Sequence, residues 1–312
     1  MKNFAKSILP GNKGKKCHYA LIQSLPIDCD EIVEGFLGSG TLGRMIEEFH
    51  GQKRTIGAEK FDPLRFHYEN VVNLETTHSH FCKMVLVKNQ TDLEASIDLE
   101  ALADLWIYAK KVVNSTLKPN DPRPFPLTAS EAFVILMECS YAHSIRFSSK
   151  GFNVKVDPTK ALAAVKNGLR SPIVKVPDRI FSDWSEALKA GSPKISLFTT
   201  DPPYDHAARI YAHDNPKACG IPPIRQAVEL GYRQVLAFNN FDKIFDDEIA
   251  AIAAKHGYTV LKAPTNHRYQ IDNKNKAQPF SQASLFAADE FKAFDEFPSG
   301  EWYWFLSASG VL

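Results

Sequence analysis

Glu31-Ile32-Val33-Glu34-Gly35-Phe36-Leu37-Gly38-Ser39-Gly40-Thr41-Leu42-Gly43 is the stretch on which the fold turns. Residues 31–36 read as a short strand, Gly38–Gly43 as a glycine loop, and a helix follows from about Leu42 to His50. Arg54–Glu59 reads as a second strand and Phe61–Asn73 as a second helix. Strand, glycine loop, helix, strand, acid, helix is the opening of a doubly wound α/β sheet, in which parallel strands alternate with helices that cover both faces.

The alternation lapses and then returns. Leu93–Leu117 is expected to be helical, with Leu99, Leu102, Leu105, Trp106 and Ala109 near one face. Four prolines within Pro119–Pro126 must break it. Ser130–Ser140 reads as a helix capped by Thr128 or Ser130, Ser144–Val156 has no clear period, and Pro158–Gly168 is helix-like. Ile195–Thr200, Arg233–Asn239, Tyr258–Ala263 and Glu301–Ser307 read as strands, and Asp246–His256 as a helix. The expected organisation is one α/β domain over 1–75 and 176–312, with a mostly helical insertion over 76–175. Trp302, Tyr303 and Trp304 alternate on the last strand and are expected in the core.

Composition narrows the function classes. The chain has 312 residues, of which 44% are apolar and 23% charged, with 37 basic side chains against 36 acidic. That supports a packed core and excludes a disordered or uniformly polybasic chain. No apolar run reaches 18 residues, so no membrane contact is expected. The N-terminal stretch is basic without a following apolar segment, which argues against a secretory signal. Five scattered cysteines, with no C-x-x-C pair, read as reduced thiols. His78, His80 and Cys82 lack a second ligand pair, so no metal is expected. The charge is uneven. Met1–Lys16 holds five lysines and no acid, and Tyr141–Ile180 holds eight basic residues against two acidic ones.

Gly38-Ser39-Gly40-Thr41-Leu42-Gly43 fits G-x-G-x-x-G, with Glu59 at the end of the next strand. Glycines let a backbone approach a ligand closely, and a carboxylate there can hold two ribose hydroxyls. A nicotinamide dinucleotide is one reading. S-adenosylmethionine is the other, because Phe36-Leu37-Gly38-Ser39-Gly40 also fits the shorter F-x-G-x-G loop, and an aromatic ring can contact a sulfonium. The loop alone leaves both open.

Asp201-Pro202-Pro203-Tyr204 follows the strand Ile195–Thr200 and so falls at the carboxyl edge of the sheet, where ligands bind. Two prolines hold the backbone extended and remove two N–H donors. The Asp201 carboxylate and the Pro202 carbonyl can then both accept hydrogen bonds from one exocyclic amine, and Tyr204 offers a face for a planar base. A base paired in a duplex must be flipped out to reach such a site.

Taken in order, these motifs resemble the Dam-like adenine-specific DNA methyltransferases. Pro10-Gly11-Asn12-Lys13-Gly14-Lys15 is similar to the family's N-terminal G-x-K element, without the usual preceding aromatic residue. Arg146-Phe147-Ser148-Ser149-Lys150-Gly151-Phe152-Asn153-Val154 is similar to its recognition segment, with Ser148 in place of Asn and Lys155 in place of Pro. Ile180–Trp184 is similar to the acidic-aromatic element before the catalytic strand. The residues after Tyr204 depart from the family pattern.

The resemblance implies a Rossmann-like methyltransferase sheet with a helical target-recognition insertion. It implies cofactor contacts at Pro10, Lys13, Phe36, Gly38, Ser39, Gly40, Glu59, Lys60, Asp183, Trp184 and Asp201. Asp201, Pro202, Pro203 and Tyr204 would hold the adenine for N6 methylation, with S-adenosyl-L-methionine as cofactor and no metal. Double-stranded DNA would be gripped by Arg146, Ser149, Lys150, Phe152 and Asn153. A cytoplasmic monomer or weak dimer, bacterial or phage-encoded, with a cognate restriction nuclease as partner, completes the expectation. A nicotinamide-dependent oxidoreductase and a non-catalytic DNA-binding protein on the same scaffold are the rivals.

Overall fold

The computed structural model describes residues 16–86, 97–118, 120, 123–140, 147–148, 151–152, 155–202, 220–240, 242–265 and 301–308. Helix α1 spans Lys16–Ser24, followed by β1 (Glu31–Glu34), α2 (Thr41–His50), β2 (Arg54–Ala58) and α3 (Asp62–Glu69). Helices α4 (Leu74–Val85), α5 (Leu99–Val113) and α6 (Ala129–Glu138) come next. A two-strand ribbon, β3 (Phe147–Ser148) and β4 (Gly151–Phe152), precedes α7 (Pro158–Asn167). The chain then runs through β5 (Arg179–Phe181), α8 (Trp184–Ala190), β6 (Ser196–Thr200), α9 (Ile221–Glu229), β7 (Gln234–Asn240), α10 (Lys243–His256), β8 (Tyr258–Pro264) and β9 (Glu301–Ala308).

Seven strands form one mixed sheet in the order β5-β2-β1-β6-β7-β9-β8. β5, β2, β1, β6 and β7 are parallel, whereas β9 runs antiparallel between β7 and β8. Side chains alternate across the strands, and each face has its own core. Val33, Phe198, Ala237 and Trp304 pack under α8, α9 and α10. Ile32, Leu197, Phe238 and Tyr303 pack under α1 and α2. Trp302 and Trp304 thus face one layer and Tyr303 the other, as their alternation predicts.

Local chemistry sets the helix ends. Thr128 and Glu131 form a reciprocal capping box on α6, and the Asp98, Asp157 and Asp242 side chains cap α5, α7 and α10. The stretch 61–73 is one short helix, not a single run to Asn73. Asn73 accepts from the Thr76 N–H and starts α4 instead. On α5, Leu102, Leu105, Trp106 and Ala109 are buried, but Leu99 is 64% exposed on the first turn. A third core joins Leu37, Leu64 and Tyr68 to the apolar faces of α4 to α7.

His67 lies within that helical layer, 1% exposed, and neither ring nitrogen has a hydrogen-bond partner among the described residues. Burial lowers its pKa to about 4. The folded protein then holds a neutral imidazole where the unfolded chain takes a proton near pH 6.5. Stability is therefore whole above about pH 6.5 and falls as pH drops toward 4, by about 3 kcal/mol over that window. His67→Leu is expected to flatten the acid limb. Urea midpoints between pH 4 and 7 that fall equally in both proteins would refute this.

Candidate functional site

β1 leads leftward to β2, and β6 leads rightward to β7, so the sheet reverses direction between β1 and β6. The register Glu34↔Thr199 brings the carboxyl ends of these two neighbours level. The glycine loop leaves one and Asp201-Pro202 leaves the other. Backbone pairing runs on past the strands, with the Gly35 N–H donating to the Thr199 carbonyl at 2.9 Å. Two motifs more than 160 residues apart in sequence thereby share one rim.

The glycine loop is held from three sides. The Tyr68 hydroxyl of α3 donates to the Gly38 carbonyl at 2.9 Å. The Glu59 carboxylate accepts from the Gly38 N–H at 3.1 Å and from the Phe61 N–H at 2.8 Å. Val174, from the segment joining α7 to β5, donates its N–H to the Ser39 carbonyl at 2.7 Å. Gly40 has φ +70°, and a Cβ there would meet the Lys175 carbonyl oxygen at 2.5 Å. The Ser39 side chain is buried and bonded to the Thr41 hydroxyl at 2.6 Å, so it faces into the loop. Phe36 keeps part of its ring exposed, and Lys60 is exposed beside Glu59.

Glu59 has one protein donor on each oxygen, and a carboxylate accepts about four hydrogen bonds. Capacity remains for two hydroxyls. Desolvation raises its pKa to about 7, against the pull of its two backbone donors and of Arg65. Asp183 caps α8, its Oδ1 accepting from the Ser185 N–H at 2.8 Å and from the Ser185 hydroxyl at 2.6 Å. It follows β5 and reaches the same rim through the Glu59 N–H to Phe181 carbonyl bond. Trp184 is partly buried against the core under α8. Asp201 is partly exposed and Pro202 buried.

Sequence reading missed Glu34. It ends β1, is 2% exposed, and its Oε1 has no hydrogen-bond partner among the described residues. A Cβ on Gly43 would meet that oxygen at 2.3 Å, so the third glycine of the motif makes room for a carboxylate. Desolvation raises the Glu34 pKa to about 7, partly offset by the Lys175 charge. A glutamate directly before the glycine loop, at the end of a strand predicted to be buried, was the available signal.

The basic block at 141–180 is spent partly inside the molecule. Lys175 is paired with Glu47 at 2.7 Å and bonded to the Thr55 hydroxyl, and is 15% exposed. It is therefore no phosphate contact. Arg170 grips the buried Glu138 with a fork of bonds at 2.7 and 3.0 Å. Pro10, Lys13, Pro203, Tyr204, Arg146, Ser149, Lys150 and Asn153 lie outside the described residues, as does the side chain of Phe152. Among the described residues, no helix is long and apolar enough to cross a membrane. Compared with known proteins, the chain matches no family model and no curated protein.

Proposed function

We propose that this protein transfers a methyl group from S-adenosyl-L-methionine to the exocyclic N6 amine of an adenine flipped out of DNA. One observation carries the reading. The glycine loop with its acids and the Asp201-Pro202 pair leave adjacent parallel strands at the point where the sheet reverses. That is where an open α/β sheet binds its ligand.

The residues present fit an adenosyl ligand. Glu59 has spare acceptor capacity for a ribose diol, the side-chain position of Gly38 is open for 4 Å among the described residues, and Glu34 holds an orphaned oxygen beneath the loop. When bound, the cofactor supplies an electrophilic methyl group. The protein's share is orientation. The Asp201 carboxylate and the Pro202 carbonyl accept from the amine, aligning its lone pair and steadying the positive charge that grows on nitrogen. The sheet carries one reversed strand, β9, between β7 and β8 in an otherwise parallel order.

The test is incubation with labelled S-adenosylmethionine and plasmid DNA, followed by single-molecule sequencing for methylated adenines. Absence of label in DNA would remove the reading. A thermal shift with a nicotinamide dinucleotide, and none with S-adenosylhomocysteine, would favour the oxidoreductase.

The two raised carboxyls give the binding a pH signature. Glu34 and Glu59 keep protons up to about pH 7 in the folded chain. A diol donating to Glu59 needs the ionised form, so binding below pH 7 must release a proton. Cofactor affinity is expected to rise with pH up to about 7 and then level. Calorimetry at pH 6 in two buffers of different ionisation heat measures that proton. Glu59→Gln should reduce the release as well as the affinity, and equal release in parent and variant would refute the role.

A further inference from the structure

The backbone of the glycine loop can be accounted for group by group. The Gly38 N–H donates to Glu59, and the Gly38 carbonyl accepts from the Tyr68 hydroxyl at 2.9 Å. The Ser39 carbonyl accepts from the Val174 N–H at 2.7 Å. The Gly40 N–H donates to the Leu37 carbonyl at 2.9 Å, and the Gly40 carbonyl accepts from the Arg44 N–H of α2 at 3.2 Å. The Ser39 N–H is the exception. It donates to no acceptor among the described residues, although Ser39 is buried. In a trans peptide the N–H points opposite to the carbonyl of the preceding residue. Whatever holds the Gly38 carbonyl therefore also aims the Ser39 N–H.

We propose that Tyr68 is a positioning residue for the candidate cofactor site, acting through the Gly38–Ser39 peptide: by gripping the Gly38 carbonyl, its hydroxyl turns the Ser39 N–H away from α3 and presents it as a donor to the bound ligand. The proposal rests on the reading of this rim as an adenosyl-ligand site, and it extends that reading to a residue outside both motifs. Tyr68 is buried in a core it shares with Leu37 and Leu64, which fixes the ring. Its hydroxyl also lies against Gly40, where a Cβ would come within 3.3 Å of it. Burial, with Glu34 and Glu59 nearby, raises its pKa well above the usual phenol value, so the hydroxyl keeps its proton and remains a donor. A ring without the hydroxyl would fill the same space and leave the Gly38 carbonyl short of a partner. The peptide can relieve that cost by rotating, and the Ser39 N–H rotates with it.

The experiment compares the parent with Tyr68→Phe, which keeps the ring and loses the donor, and with Ser130→Ala. The latter removes a hydroxyl that α6 donates to the Phe66 carbonyl of α3 at 3.3 Å, and so loosens α3 without touching the loop. In the ligand-free protein, NMR follows the Gly38 carbonyl carbon and the Ser39 amide. Both resonances are expected to move in Tyr68→Phe and to stay in Ser130→Ala. Calorimetric titration with S-adenosylhomocysteine is read alongside, with affinity expected to fall about five-fold in Tyr68→Phe, the worth of one hydrogen bond, and to hold in Ser130→Ala. Unmoved resonances in Tyr68→Phe, undiminished affinity, or equal losses in the two variants overturn the proposal. A further measurement needs no variant: in the parent, the Ser39 amide proton should shift downfield when S-adenosylhomocysteine binds. An unmoved amide overturns the proposal whether or not Tyr68→Phe folds. A parent that binds no adenosyl ligand sinks the proposed function and this role with it, whereas a parent that binds with its Ser39 amide unmoved sinks the role of Tyr68 alone.

Discussion

Asp201→Ala is expected to lower methyl transfer to adenine by about a thousand-fold or more, with cofactor affinity kept within a few-fold. The magnitude follows from the task assigned to this carboxylate. A fixed acceptor aimed where charge develops contributes on the order of 10² to 10³ in rate. Alignment of the attacking nitrogen adds to that. The cofactor should still bind, because Glu59, Asp183 and the glycine loop all lie on the β1, β2 and β5 side of the sheet reversal. Labelled transfer to plasmid DNA, with calorimetry on the same preparation, separates the two effects. Asp201→Asn keeps the shape and one acceptor oxygen and should fall between alanine and the parent. A fully active alanine variant would remove Asp201 from the chemistry and with it the proposed reaction.

Gly40→Ala is the second large effect, and it needs no assumption about the reaction. The residue sits at φ +70°, where an L side chain costs about 1 kcal/mol or more. A Cβ would also lie 2.5 Å from the Lys175 carbonyl oxygen, a backbone atom tied down by its neighbour's bond to Ser39. One of the two backbones must move. The expected loss is about 3 kcal/mol of stability, from backbone strain together with overpacking. Affinity for S-adenosylhomocysteine should drop more steeply than stability, since the displaced atoms belong to the loop. Gly38→Ala is the control, because its Cβ would meet nothing within 4 Å although φ is also positive. Equal losses at the two positions would assign the effect to strain alone.

Local signals carried much of this structure. The strand, glycine loop and helix at 31–50, the capped α6 and the alternation in β9 depend on neighbours within a few residues, and they stand where the sequence puts them. Among the elements not foreseen, α1, α8 and α9 have nine residues or fewer and β5 has three, but α4 has twelve and lies just past the helix expected over 61–73. The reversal of β9 is a pairing choice between distant segments, which no periodicity encodes. Glu34 reads as one more strand residue until Gly43 is seen pressed against it. Lys175 reads as one more lysine in a basic stretch until Glu47, far upstream in the chain, is found at its tip. Charge counts record how many cations a segment has and say nothing about which are already neutralised by the fold.

The reversed β9 has one more consequence. Because β8 ends and β9 begins on the carboxyl rim, Thr265 and Glu301 meet there, with the Thr265 N–H donating to the Glu301 carbonyl at 2.9 Å and its hydroxyl reaching the Glu301 carboxylate at 3.0 Å. His18 adds a buried contact to the same carboxylate at 2.7 Å. The ends of β8 and β9 are thereby stapled side by side. Through its carboxylate, Glu301 ties α1 to the antiparallel side of the sheet and fixes the carboxyl rim on the flank opposite the glycine loop.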